Sequence, residues 1–164
     1  MKAIWTAPLL ILLFGIGCRK RAADIEPPRN RHSLVRLQLA PVQGGWQVYL
    51  KNISDHDLWL PYPQFGYTVF AHFLDGNGNE LEGRLSRTID PPTRPPPTGT
   101  LVGPGNSLRS NIERETLRYH FQNLEDCSFL RVEYMPAVND GESVPNRKEL
   151  NTIGTVTSNA VDWN

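Results

Sequence analysis

The sequence predicts an all-β domain: a two-sheet antiparallel sandwich with at most one short helix, preceded by a signal peptide. Three observations carry the prediction. Apolar and polar residues alternate at period two in several short runs. Clusters of turn-forming residues punctuate the chain between those runs. Fourteen prolines and thirteen glycines suit short strands and tight turns better than helices.

Val35, Leu37 and Leu39 alternate with Arg36 and Gln38; Trp46, Val48 and Leu50 alternate with Gln47, Tyr49 and Lys51. Leu130, Val132 and Tyr134 alternate with Arg131 and Glu133. Each run reads as a half-buried strand, one face in a core and one in water. Tyr67 to Leu74 is apolar on both faces apart from Thr68 and His72, which predicts a central strand. Thr155 to Trp163 is β-prone and puts Val161 and Trp163 on one face. Turns are expected at Gln43-Gly44-Gly45, Asn52 to Asp57, Asp75 to Asn79, Gly103 to Asn106 and Asn139-Asp140-Gly141. The single helical candidate is Glu115 to Leu124, where Leu117, Phe121 and Leu124 fall at helical spacing.

At 164 residues the chain has the length of one ordinary domain behind a short leader. Seventeen basic residues balance seventeen acidic ones, so the charge offers no footprint for nucleic acid. The leader reads Met1-Lys2, then Ala3 to Gly17 without charge, then Cys18-Arg19-Lys20-Arg21. A positive start, an apolar run and small residues before a break are the parts of a secretory signal. The run is shorter than the roughly 20 residues of a membrane-spanning helix, and it contains Pro8.

In Phe14-Gly15-Ile16-Gly17-Cys18 a small residue directly precedes a cysteine, and the segment resembles the lipobox of bacterial lipoproteins. The resemblance implies that residues 1–17 are removed, that Cys18 carries diacylglycerol on its sulfur, and that the lipid is the partner through which the chain meets a membrane. Gly15 departs from the pattern, which usually has leucine there. Gly15 and Gly17 also form a small-x-small site, so ordinary cleavage and plain secretion into the periplasm stay open, as does an uncleaved anchor. Three basic residues after the apolar run oppose the usual positive-inside bias. Arg19 stands where an aspartate would retain such proteins in the inner membrane, so the resemblance implies the outer membrane of the cell envelope, facing the periplasm. Residues 18–32 are charged, contain Pro27-Pro28 and lack apolar periodicity, which predicts a flexible tether. The sandwich domain is expected over residues 33–164.

Within that domain the order of parts is similar to many bacterial immunoglobulin-like exported domains, and more loosely to the Bacillus intracellular proteinase inhibitor family. The resemblance rests on Leu50-Lys51-Asn52-Ile53-Ser54-Asp55 before Leu58-Trp59-Leu60-Pro61, on the Asp75 to Leu81 hairpin, on Leu101 to Leu108, on Phe129 to Tyr134 and on Gly154 to Val161. Each marks a turn or strand end, so it implies the immunoglobulin-like sandwich more strongly than any activity.

No residue is assigned a catalytic, cofactor-binding or metal-binding role. Cys127 sits between Asp126 and Ser128 and reads as a structural thiol. Asp75-Gly76-Asn77-Gly78-Asn79-Glu80 spaces oxygen donors as calcium loops do, but lacks the glycine and glutamate positions of such loops and reads as a hairpin. His32, His56, His72 and His120 have no zinc spacing, and His72 is expected to be a hydrogen-bonded core or face residue. Asn52-Ile53-Ser54 matches a glycosylation acceptor, without meaning for a bacterial lipoprotein. The least ordinary feature is a long segment, Gly83 to Thr100, with little strand pattern. In it Pro91, Pro92, Arg94, Pro95, Pro96 and Pro97 form a candidate partner-binding loop, stiffened as polyproline II, against the alternative of a surface excursion without a partner. The expected function is a non-enzymatic binding or accessory module on a lipid anchor, with a protein as its candidate partner. The alternative is a protease inhibitor presenting a loop to an enzyme cleft.

Overall fold

The period-two runs close into strands in a computed structural model, which describes residues 21–25, 33–81, 84–85, 99–136 and 147–163. The strands β1 (Val35–Val42) and β2 (Gly45–Asn52) form a hairpin in which Val42 pairs Gly45. Its two-residue turn is closed by Gly44 at φ +82°, a conformation glycine adopts without steric cost. After β3 (Leu58–Pro61), β4 (Val69–Leu74), β5 (Arg84–Leu85) and β6 (Gly99–Val102) comes β7 (Ser107–Glu113), which pairs with the other side of β2. Gly45 admits that third strand: a Cβ there would lie 2.2 Å from the Ile112 carbonyl oxygen.

The chain continues through helix α1 (Arg114–His120), β8 (Phe121–Gln122), β9 (Phe129–Tyr134), helix α2 (Arg147–Ile153), β10 (Val156–Thr157) and β11 (Val161–Asp162). The order β1-β2-β7 makes one layer. The opposing layer has β9 at its centre, with β4 on one side and both β10 and β11 on the other. The two-stranded ribbon β3–β6 extends the rim, and β5 pairs β8. All these pairings are antiparallel, so the predicted all-β sandwich is the fold observed.

One core fills the space between the layers. Val35, Leu37, Leu39, Trp46, Val48, Leu50 and Ile112 point inward from the first layer. Val69, Phe73, Leu130, Val132, Tyr134, Val161 and Trp163 meet them from the second. Trp46 stacks on Trp163 with ring centroids 5.0 Å apart and planes 14° from parallel. Phe73 meets Trp163 and Phe121 edge-on at 5.4 and 4.7 Å.

Four expectations are corrected. Among the described residues there are two α-helices, not at most one helix. Helix α2 carries only Leu150 and Ile153 into the core, and two apolar residues in one short turn pair give no readable stripe. Helix α1 ends at His120 and not Leu124, because Phe121 is already extended (φ −125°, ψ 140°) and turns its ring onto Phe73. The strand expected at Tyr67 to Leu74 begins at Val69; it pairs β9 along its length on one side, while on the other, among the described residues, only its end is engaged, by Glu80 and Leu81 of the hairpin, and β9 holds the centre of the layer.

The amino-terminal segment also departs from expectation. Residues 21–25, expected to belong to a structureless spacer, form a 3-10 turn over Ala22–Asp24 closed by the Arg21 amide donating to Asp24 Oδ2 at 3.0 Å. Ala22 and Ile25 pack on a second small cluster of Leu74, Phe129 and Ala160. The outward end of β4 is therefore buried under the amino-terminal turn. Leu74 on the outward face of β4 is buried there, while Val69, Ala71 and Phe73 face the main core.

Between β10 and β11 three residues, Ser158 to Ala160, oppose two of β9, which is a bulge. The fully buried Ser158 hydroxyl accepts the Val132 amide at 3.0 Å, standing in for a ladder carbonyl. The bulge swings Asn159 to the free edge of β1. There its amide donates to the Leu39 carbonyl at 3.0 Å and accepts the Leu39 N–H at 2.9 Å. One side chain thus copies the pairing of a strand and closes the corner between the two layers.

Candidate functional site

Cys18 and the loop residues Pro91, Pro92, Arg94, Pro95, Pro96 and Pro97 lie outside the described residues.

Several polar clusters are occupied with structural work. The Asp75 carboxylate accepts the Asn77 and Asn79 amides at 2.8 and 2.9 Å and the Asn79 side-chain amide at 3.1 Å. These N–H donors, the Asn79 amide foremost, hold its pKa below the usual carboxylate value. The carboxylate organises the hairpin, and Leu74 bridges Glu80 across it. His72 is a face residue of β4, with Nδ1 2.6 Å from Glu80 Oε1 and Nε2 3.4 Å from Glu133 Oε2. Arg131 reaches the other Glu80 oxygen at 3.8 Å. Cys127 is buried, its Sγ 3.3 Å from the Phe129 carbonyl, and burial pushes its pKa up to about 11. A neutral, enclosed thiol is a poor nucleophile.

His56 links the β2–β3 loop to helix α2. Its ring nitrogens lie 2.8 Å from Asp55 Oδ1 and 3.1 Å from Glu149 Oε1. The hydrogen bond to Asp55, with smaller help from Glu149, raises its pKa above 6.5. A raised folded pKa favours the native state fully below the unfolded value, and that gain disappears as pH rises through the folded value. We expect the thermal midpoint to decline over a window beginning near pH 6.5 and ending above the folded pKa. The effect is small because the groups are exposed. A pH series of melting curves on the parent chain and on His56→Gln checks it: the variant should lack the decline, and an identical slope would remove His56 as its source.

A shallow groove of about 580 Å³, open to solvent, is lined by Arg118, Phe121, Gln122, Asn123, Leu124 and Glu125. Arg118 is engaged by Glu115 at 3.2 Å.

The outer face of β1, β2 and β7 is different, because its charges are not matched. Register arranges it in rows across the three strands. Arg36, Lys51 and Ser107 form the first row, Gln38, Tyr49 and Arg109 the second, and Ala40, Gln47 and Asn111 the third. Val42, Gly45 and Glu113 form the fourth, at the far end. Arg36 thus stands directly opposite Lys51, and Arg109 lies over the Tyr49 ring at 5.4 Å. None of these three cations makes an ion pair among the described residues. The Tyr49 hydroxyl donates to Gln47 Oε1, and Gln47 Nε2 donates to Asn111 Oδ1 at 3.1 Å, which fixes the orientation of both amides. Tyr62, 40% exposed, adds an aromatic ring at the β7 edge, where its hydroxyl donates to the Arg109 carbonyl.

None of these rows was singled out from the sequence. Its signal was the polar half of each alternation, Arg36, Gln38, Gln47, Tyr49 and Lys51, which periodicity identifies as solvent-facing. Which polar residues stand beside one another depends on register, which a single strand does not contain. Among the described residues no group of three or more histidine, cysteine or acidic side chains is placed to hold a metal ion. No family model, curated protein sequence or solved structure matches the chain.

Proposed function

We propose that the chain is an exported lipoprotein, held by lipid on Cys18 at the periplasmic face of the outer membrane, and that its sandwich is a non-enzymatic binding or accessory module. The observation that carries the reading is the leader: Lys2, an uncharged run from Ala3 to Gly17, and a small residue directly before Cys18. A single acyl-bearing cysteine followed by one domain is an address and a display, with no chemistry of its own. The amino-terminal turn supports it, since Ala22 and Ile25 dock the chain onto the domain a few residues after Cys18. The open, polar face of β1, β2 and β7 suits contact with an extended partner better than enclosure of a small substrate.

Expression of the parent and of Cys18→Ser in a Gram-negative host tests the anchor. The parent should take up a fatty-acid label and sediment with membranes. The variant should do neither and should appear in the soluble envelope fraction. Label and membrane retention that persist in Cys18→Ser would overturn the lipoprotein reading. Inhibition of a protease by the purified chain would replace the accessory-module reading with that of an inhibitor.

A further inference from the structure

We propose that the outer face of β1, β2 and β7 binds an acidic polysaccharide, with Arg36, Lys51 and Arg109 meeting its anionic groups and Tyr49, Gln47 and Asn111 its hydroxyls. Like charges directly opposite on a sheet destabilise the pair, and cross-strand positions usually hold opposite charges or neutral partners. Here Arg36 faces Lys51, Arg109 stands one row away, and the only acidic residue of the four rows, Glu113, is at the far end. Three cations without an ion pair among the described residues, spread over three strands, span about 10 Å. A carboxylate or phosphate placed among them supplies the counter-charge that the sheet itself lacks.

The neutral groups specify the rest of the ligand. Sugar hydroxyls are donors and acceptors at once, and they match amides whose orientation is already set. Gln47 and Asn111 are set by their mutual hydrogen bond and by the Tyr49 hydroxyl. The Asn111 NH₂ group donates to no protein atom among the described residues. Tyr49 and Tyr62 supply aromatic surface beside Arg109, against which the apolar faces of sugar rings pack. A three-stranded sheet face, open along its length, accommodates an extended polymer along the strands.

An anionic membrane could offer the same phosphate chemistry, but the position of the anchor argues against it. The docked turn Ala22–Asp24 lies against Leu74, Phe129 and Ala160, on the other layer. That end of the sandwich is the one where Trp46 stacks on Trp163 and Pro41 pairs Trp46. Lys51 lies five residues further along β2, about 16 Å away. Arg21, three residues from Cys18 in sequence, thus lies at the end and layer remote from the cations. The choice of polysaccharide over membrane rests on the lipoprotein reading, whereas the cation face does not.

Affinity electrophoresis tests the proposal with the full chain in detergent and with Cys18→Ser, so that a failed anchor and a failed binding face give separate results. Gels containing polygalacturonate or a phosphomannan should retard both proteins, and neutral dextran should not. The double variant Arg36→Gln with Lys51→Gln should bind at least tenfold more weakly. Its melting temperature should hold or rise, because an opposed like-charge pair has been removed. Arg118→Gln, on helix α1, should bind as the parent does. The proposal is overturned if neither acidic polymer retards the chain, if the double variant binds as the parent, or if Arg118→Gln weakens binding as much. Tighter binding to phosphatidylglycerol vesicles than to either polymer also overturns it.

Discussion

Replacing Trp46 by alanine is expected to destabilise the fold by about 4 kcal/mol, within the usual range for removing a buried aromatic side chain. Trp46 is 1% exposed and stacks on Trp163 from the opposite layer. The Arg114 guanidinium lies 5.1 Å from the Trp46 ring and 5.9 Å from Trp163, covering the pair from helix α1. Truncation opens a cavity between the layers and removes the stacking and cation–π contacts together. Set against a domain stability of about 5–15 kcal/mol, the loss is large. Trp46→Phe should cost about 1–2 kcal/mol, since it keeps a ring in place and removes an indole N–H that has no hydrogen-bond partner among the described residues. Urea denaturation gives the two free energies, and far-ultraviolet circular dichroism reports the exciton signal of the stacked indoles. A loss under 1 kcal/mol for Trp46→Ala would mean that this stack does not hold the layers together.

The second large effect is expected at Asn52, the buried residue where β2 leaves its sheet. Its side chain donates to the His56 and Val102 carbonyls, each at 2.8 Å, and accepts the Ser54 amide and hydroxyl at 2.9 and 2.7 Å. Its backbone pairs with Asn106 and Gly105. One amide therefore shapes the β2–β3 loop and ties β6 to the first layer. Asn52→Ala leaves the Val102 carbonyl without its partner in a buried site, for a loss of about 3 kcal/mol. Asn52→Asp is the sharper test. The shape is kept, but a carboxylate faces two carbonyl oxygens in place of an amide donor. Its pKa should be raised by burial and by those oxygens. A raised carboxyl pKa penalises the fold progressively as pH rises through the unfolded value near 3.9, until the folded value is passed. Asn52→Asp should thus be less stable than Asn52→Ala at pH 7 and should recover part of the difference below pH 4. Denaturation curves at the two pH values decide it, and an Asp variant as stable as the parent at pH 7 would rule out the donor role.

The strands of the two layers were legible because alternation is a local property. Val35, Leu37 and Leu39 declare an inward face without reference to anything else in the chain. The hairpins at Gly44 and Asp75 were legible for the same reason, as their turn chemistry lies within a few residues. Helix α2 was not, since its two core residues acquire meaning only from the surface they cover. The two-faced apolar content of β4 was read as the mark of a central strand. Its outward Leu74 is instead covered by Ala22 and Ile25, which precede it by some fifty residues. The candidate binding face was half legible: its residues were known to face solvent, but not that Arg36 would meet Lys51.

By itself, then, the sequence determined the class of fold and the places of most strands and turns, all of them written in runs shorter than a strand or two. The tertiary structure alone decided that β9 is the centre of its layer, that Asn159 closes the corner beside Leu39, and that three cations share one face. The physical reason is that these are matters of register and approach between segments up to 120 residues apart. Periodicity fixes which face a side chain takes, and pairing across the sheet fixes its neighbours.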